Sequence, residues 1–501
     1  LVVAGIGVAL LPLKHRVELQ PDLVLLVFLP PLIYDASLDT SARDLRTHWR
    51  PILLLAVGLV LATMTAVAVV IHALVGEMGW APAFALGAIV SPPDSVAATQ
   101  IAGKLGLPRR LVTILGGEGL MNDATALTAY QVAVAAVGSA FTLGDVVGKF
   151  FFAVVVGIAI GIAVGWLGCR ALRFTETPVI ENTMLLILPF AAYLPADKLR
   201  ASGVLAVVAT GLYFGRYGSG VLTAAARLQQ REIWDLIVFL LTGMSFLLIG
   251  LELRPILDSL VNRESGSLLI EASSVVGVVI VGRMAWMFMT TALPGGQRLF
   301  GATRATRSWQ ETTVVGWAGM RGAVSLAAAL ALPQSFPQRE LVVFLTFAVI
   351  VATLVGQGLT LPPLIRRLGL VTRGGQESVL VAETRRRLTV VALSEIDDLT
   401  RDDGFPDPVV DRIRSGYETQ LARIDRRLEV IGSGEEEGDG DLDGSAGDRN
   451  GHVGAGRELR MRVIAAERAE LDRLLARRRV TKQVADGVRA ALDRDETTMR
   501  P

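Results

Sequence analysis

Gly87-Ala-Ile-Val-Ser-Pro-Pro-Asp94 lies in the middle of an apolar run over 80–101. About 20 apolar residues is the length a helix needs to cross a hydrocarbon core. Pro92 and Pro93 remove two backbone donors from that helix and bias the residues before them away from helical geometry. The stretch therefore predicts a helix broken at its centre, with two half-helix ends exposed and Asp94 beside them. A proline kink without a ligand is the plain structural alternative. It is weakened by the acid, because an ionisable group deep in an apolar segment is costly and calls for a partner or a use.

The rest of the chain places this run in a membrane. The 501 residues are 51% hydrophobic and 19% charged, and the mean hydropathy is +0.49, too apolar for a soluble chain with a charge-rich tail. Apolar segments fall near 1–13, 22–38, 51–75, 80–101, 109–138, 147–172, 180–196, 202–215, 233–253, 267–292, 310–333 and 339–365, about twelve crossings. The fold class is all-α and polytopic. Leu1–Leu13 reads as a truncated helix, since it has neither the basic start nor the small-residue cleavage pattern of a signal peptide.

Alternate loops are rich in Lys and Arg: Arg43, Arg46 and Arg50; Lys104, Arg109 and Arg110; Arg170 and Arg173; Arg216, Arg227 and Arg231; Arg298, Arg304 and Arg307. Arg366, Arg367 and Arg373 follow the last segment and put the tail on that same side, which the positive-inside rule makes cytoplasmic. The division is a transmembrane domain over 1–368 and a cytoplasmic tail over 369–501. Charged helical segments of the tail flank an acidic, Gly-rich linker over 432–454, expected to be disordered. A net charge of +1 gives no sign of a nucleic-acid partner, and Cys169 has no second cysteine to pair with.

Five acids stand in or near the apolar segments: Asp35, Asp94, Glu118, Asp123 and Glu252. Two bases can meet them, Arg283 and Arg321. Glu118 and Asp123 are five residues apart, about 140° around a helix, and need not share a face. Gly119 does share the face of Asp123 and leaves room there for a backbone or an ion. A carboxylate in that position can hold a proton or a desolvated cation, and competition between them couples two fluxes; the plainer reading is a buried Asp hydrogen-bonded for structure alone. Arg321 needs an acid, and Glu118 is the first candidate, leaving Asp123 for the ion while Asp94 can instead neutralise a half-helix end. The partner of Arg283 is not named by the sequence. The triplets 51–75, 80–101, 109–138 and 267–292, 310–333, 339–365 suggest an inverted repeat with a site at its interface.

With Phe28-Leu-Pro-Pro-Leu-Ile-Tyr-Asp35, Gly87–Asp94, Gly116-Gly-Glu-Gly-Leu-Met-Asn-Asp123, Phe246-Leu-Leu-Ile-Gly-Leu-Glu252 and Gly319-Met-Arg-Gly-Ala-Val-Ser325 in order, the chain resembles the monovalent cation/proton antiporters, in the bacterial sodium/proton exchanger branch with Asn-Asp. The resemblance covers about 1–370. It implies thirteen helices with the first one preceding Leu1, inverted repeats with broken helices, a homodimer in the plasma membrane, and a role in pH and cation homeostasis. By motif position it implies that Asp123 carries the ion and proton, that Asn122 supports it, that Asp94 is the broken-helix acid, and that Glu118 and Arg321 form a structural ion pair. Asp35 matches an acid of the dimer-side helices that can approach the ion in some members, which makes it a further ion- and proton-binding residue. Ser91, Asp94 and backbone carbonyls complete the surroundings of Na⁺ at Asp123 and Asp94. A single Asn-Asp implies electroneutral exchange, with no cofactor and no enzymatic activity. Pro93 and Gly119 stand where members often have Thr and Ser, which leaves the choice among Na⁺, K⁺ and Li⁺ open.

Two other classes share some of these features. A passive monovalent cation channel shares broken helices and acids, and coupling to a proton gradient separates it. An intramembrane aspartyl protease would pair Tyr34-Asp35 with a Gly-x-Gly-Asp, but that motif is Gly438–Asp441, in the acidic linker. Asp439–Asn450 matches the first half of a calcium loop and has Asn where a bidentate Glu is required, so a flexible linker is the better reading.

Overall fold

The computed structural model describes residues 21–40, 42–137, 143–251, 256, 264–292, 309–370, 375–403, 407–433, 453–477, 479–480 and 482–499. Among these residues the chain is helical, with no strand. It divides into two compact units. The first is Leu1–Thr175, Ile180–Val221 and Ile233–Val371, and the second is Glu176–Val179, Leu222–Glu232 and Thr372–Pro501.

The first unit contains α1 (Pro21–Asp39), α2 (Trp49–Leu74), α3 (Trp80–Val90), α4 (Ser95–Lys104), α5 (Arg109–Ala136), α6 (Leu143–Leu172), α7 (Pro178–Lys198), α8 (Gly203–Tyr217), most of α9 (Ala224–Leu251), α10 (Ser265–Ala292), α11 (Trp309–Trp317), α12 (Ala323–Leu330) and α13 (Arg339–Arg367). Among the described residues, six spans are individually long and apolar enough to cross a membrane: Trp49–Leu74, Phe150–Leu172, Pro178–Lys198, Ala224–Leu251, Ser265–Ala292 and Arg339–Arg367. The segments predicted at 80–101 and 310–333 are each divided in two, as α3 with α4 and α11 with α12. Prolines end α3, whereas α11 and α12 are separated by the Ala-Gly-Met-Arg-Gly stretch before Ala323.

Packing arranges the four half-helices in a crossed pattern. One core cluster joins residues of α3 and α12 with α2, α10 and α13, including Leu86, Ile89, Leu326 and Ala329. A second joins α4 and α11 with α2, α5 and α13, including Ala98, Ala102, Val314 and Val315. The first half of one broken helix thus shares its core with the second half of the other. Elsewhere α6 and α8 come close enough that a Cβ on Gly161 would overlap the Ala206 carbonyl. The Thr210 hydroxyl donates across this contact to the Gly161 carbonyl at 2.9 Å, an economical way to hold two helices together where water offers no competing partner.

The second unit contains α14 (Gly375–Asp403), α15 (Asp407–Ser433), α16 (Val453–Ala476) and α17 (Lys482–Met499). Apolar clusters around Ile464, Leu471 and Val488, and around Ile396, Ile413 and Leu459, form its core. Arg227, in the short stretch Leu222–Glu232, makes a two-bond ion pair with Asp493 at 2.8 and 2.7 Å. Except for its ends in α15 and α16, the 432–454 linker lies outside the described residues, as do the calcium-like loop and Gly438–Asp441.

Candidate functional site

The two helix breaks meet. Pro92 has no N–H to offer the Ala88 carbonyl, and the Ser91 hydroxyl donates to it instead at 3.0 Å. Asp94 is extended and caps α4, its Oδ1 accepting from the amides of Val96 at 3.0 Å and Ala97 at 3.3 Å. The Asp94 amide donates to the Met320 carbonyl of the other break at 2.6 Å. Gly322 is the N-cap of α12 and has no side chain to fill that role; a Cβ there would overlap Asp94 Oδ2. One carboxylate therefore stands at the N-terminal ends of α4 and α12, where unpaired amides make the field positive.

Arginines serve the opposite ends. Because the Asp94 amide has turned to Met320, the Val90 carbonyl at the end of α3 is open, and Arg321 Nε donates to it at 2.9 Å. Arg321 Nη2 donates to the Ser91 carbonyl at 3.2 Å and Nη1 to the Gly319 carbonyl. Its backbone amide donates to Thr353 Oγ1 at 3.1 Å, within a π-helical turn of α13 over Ala352–Gln357. Arg283 treats the end of α11 in the same manner, donating from Nε to the Gly316 carbonyl and from Nη2 to the Val315 carbonyl, both at 3.1 Å. It also pairs with Glu118 through two bonds of 2.5 and 2.9 Å.

The expected Glu118–Arg321 pair does not form among the described residues. Arg283 takes Glu118, and Arg321 is satisfied by carbonyls. The reason lies in the breaks: half-helix ends present acceptors to a buried guanidinium that a continuous helix would have used internally. Arg283 stands out in the sequence as a base inside an apolar segment, but no spacing rule joins it to a residue 165 positions away.

Asn122 is fully buried on α5; its Nδ2 donates to the Pro93 carbonyl at 3.1 Å, while its Oδ1 has no partner among the described residues. Asp123 follows it, half-buried, and within electrostatic reach of Asp94. Among the described residues no hydrogen bond or ion pair holds its carboxylate. With Arg283 and Arg321 charged, Glu118 and Asp94 balance them, so Asp123 is the acid of the crossing whose charge has no counterpart among the described residues. A proton or a monovalent cation would make the group neutral. Ser91 stands at the α3 end with its hydroxyl proton given to Ala88 and its carbonyl taken by Arg321. Asp35 lies half-buried on α1, which packs against α5, α8 and α12; beside it Tyr34 meets Trp234 at a tilt of 46°, with ring centroids 5.3 Å apart. Glu252 lies outside the described residues.

Known proteins share this sequence and fold. Residues 1–367 match the family described as sodium/hydrogen exchanger, transmembrane. A protein of Mycobacterium bovis described as an uncharacterized Na(+)/H(+) exchanger is 32% identical over 510 aligned residues, covering 100% of this chain and 91% of its own length. The low-affinity Na(+)/H(+) antiporter NhaS1 of Synechocystis is 29% identical, with 86% of this chain and 81% of that protein covered. Among solved structures, the sodium proton antiporter MjNhaP1 from Methanocaldococcus jannaschii superposes with a TM-score of 0.53 at 16% identity, over 70% of this chain and 88% of that one. That likeness carries the fold, and the sequence matches carry the kinship. By a family match over 1–367 and a relative 32% identical over 100% of this chain, the chain belongs to the sodium/hydrogen exchanger family.

Proposed function

We propose that this multi-pass membrane protein exchanges protons for Na⁺ at the crossing of the two broken helices, with Asp123 as the group both ligands share. The observation that carries this is the charge arrangement: two arginines and two acids are committed to half-helix ends or to one another, and Asp123 is left over. Asp123 binds either a proton or a cation, assisted by Asp94, with Asn122 fixing the Pro93 carbonyl beside it. Because one neutralising charge replaces another on a single carboxylate, the exchange is one for one and electroneutral. Competition for the site means that apparent cation affinity rises with pH on the same side of the membrane.

The crossed sharing of cores, α3 with α12 and α4 with α11, supports an inverted repeat of the kind that lets a core unit rock around a fixed site. Roughly twelve crossings in this chain, a homodimer, a plasma-membrane location and a cytoplasmic tail complete the reading, the last from the arginine-rich loops. Asp35 serves as an acid on the dimer side, and K⁺ and Li⁺ remain candidate cargoes beside Na⁺.

The test is dye-reported proton flux in proteoliposomes, adding Na⁺, K⁺ or Li⁺ to the parent protein and to Asp123→Ala. Cation-driven proton movement that disappears in the variant supports the reading and identifies the preferred ion. Absence of proton movement with every cation in sealed vesicles holding folded parent protein refutes it and returns the channel to consideration.

A further inference from the structure

Gly119 has no side chain, and the space one would fill is taken by Ser95: a Cβ on Gly119 would overlap both the Oγ and the Cβ of Ser95. Gly119 lies one turn before Asp123 on the same face of α5, and Ser95 directly follows Asp94. The Ser95 hydroxyl thereby lies against α5 one turn before Asp123, on the residue that follows Asp94. It is half-buried and has no hydrogen-bond partner among the described residues, whereas Thr99, one turn on, spends its hydroxyl on the carbonyls of Ser95 and Val96 at 2.7 and 3.2 Å. Nearby, Asn122 Oδ1 is fully buried and equally without a partner, while the other end of that amide holds the Pro93 carbonyl. A hydroxyl and an amide oxygen left unused beside two acids are an oxygen set that suits a hard monovalent cation.

The geometry points to Ser95 as a cation ligand that sets affinity and selectivity, its Oγ completing, with Asn122 Oδ1, the oxygen shell that Asp94 and Asp123 begin. This rests on the exchange reading given above. The Ser91 hydroxyl, by contrast, is turned to the Ala88 carbonyl at the α3 end, and the Ser91 carbonyl accepts from Arg321. A neutral ligand of this kind leaves the carrier's charge unchanged, so it adjusts how tightly a cation is held without altering the one-for-one coupling. A small cation gains more than a large one from a shell that closes tightly around it.

Three proteins test this in proteoliposomes: the parent, Ser95→Ala, and the double variant Ser95→Gly with Gly119→Ser, which moves the hydroxyl to the other side of the same contact. Ser95→Ala keeps the volume and removes the oxygen. It is expected to raise the half-saturating Na⁺ and Li⁺ concentrations by about three- to tenfold, the size of one lost polar interaction, with a smaller change in maximal rate and a smaller effect with K⁺. Melting temperature titrated with Na⁺ in detergent reads binding independently of transport, and its midpoint should move by the same factor. The double variant is expected to bring both midpoints back to within about twofold of the parent, the precision such assays allow for a difference of a few tenths of a kcal/mol. Unchanged midpoints in Ser95→Ala overturn the proposal. A folded, monodisperse double variant no better than Ser95→Ala also overturns it, since packing would then account for the loss. A parent that moves no protons with any cation fails the exchange reading instead, before Ser95 is reached.

Discussion

The two units of the chain handle buried charge in opposite ways. In the first, Arg283 and Arg321 are fully buried, as are the acids Glu118 and Glu181, and backbone carbonyls at half-helix ends supply most of the partners of the two arginines. In the second, the buried groups are acids, Glu467, Glu470, Asp493 and Glu496, met by side chains: Arg387 on Glu470, Arg227 and Arg468 on Asp493, Arg468 on Glu496, and the Tyr417 hydroxyl on Glu467. Broken helices offer an arginine a ready acceptor set that does not titrate. Intact helices offer none, so the tail must use ionisable side chains, and its stability becomes a function of pH.

The largest expected effect is from Arg283→Met. It strands Glu118 as an uncompensated buried charge and should cost about 3–5 kcal/mol, read as a loss of folded protein or a large drop in melting temperature in detergent. Adding Glu118→Met should recover most of that. If the double variant is no more stable than the single one, the carbonyls of Val315 and Gly316 matter more than the acid. Arg321→Met leaves carbonyls of Val90, Ser91 and Gly319 without their donor and should cost about 1–3 kcal/mol. Removing Glu118 should not rescue it, because Glu118 is not its partner; rescue would restore the Glu118–Arg321 pair.

In the tail, burial pushes the Glu467 carboxyl up from 4.5 to about 8, and Asp495 adds to the shift. The folded state therefore keeps a proton that the unfolded state has released. The stability this gives is complete below about 4.5, falls as pH rises, and is gone above about 8, with a slope of at most about 1.4 kcal/mol per pH unit. Hydrogen exchange in α15–α17, corrected for its intrinsic pH dependence, should show less protection at pH 8 than at pH 6. Glu467→Gln should flatten that difference, while protection in α3 and α12 stays unaffected by the substitution.

The smallest effect on stability is expected from Asp94→Asn. Asn caps a helix about as well as Asp, so α4 should lose only a few tenths of a kcal/mol. Proton-coupled transport should nonetheless fall steeply, which separates the capping role of Asp94 from its charge. A melting temperature that falls as far as it does in Arg321→Met would mean that the charge at the α12 end is structural.

Much of this molecule was legible in one dimension. Apolar runs of about 20 residues identify spans because the hydrocarbon core has a fixed thickness, and Pro92-Pro93 marks the first break because proline lacks a donor. Asp94, Asn122 and Asp123 stand out because polar groups in such runs are costly. The second break, at Gly319–Gly322, has no proline and was visible only through Arg321. What the tertiary structure decided is the pairing. Glu118 meets Arg283 and Asp94 reaches Gly322 because the two breaks meet in space, and nothing in residue spacing encodes which long side chain will find which orphaned carbonyl. Ser95 in the place of a Gly119 side chain belongs to the same class: each residue is unremarkable in its own helix, and only the contact between α4 and α5 makes them one feature.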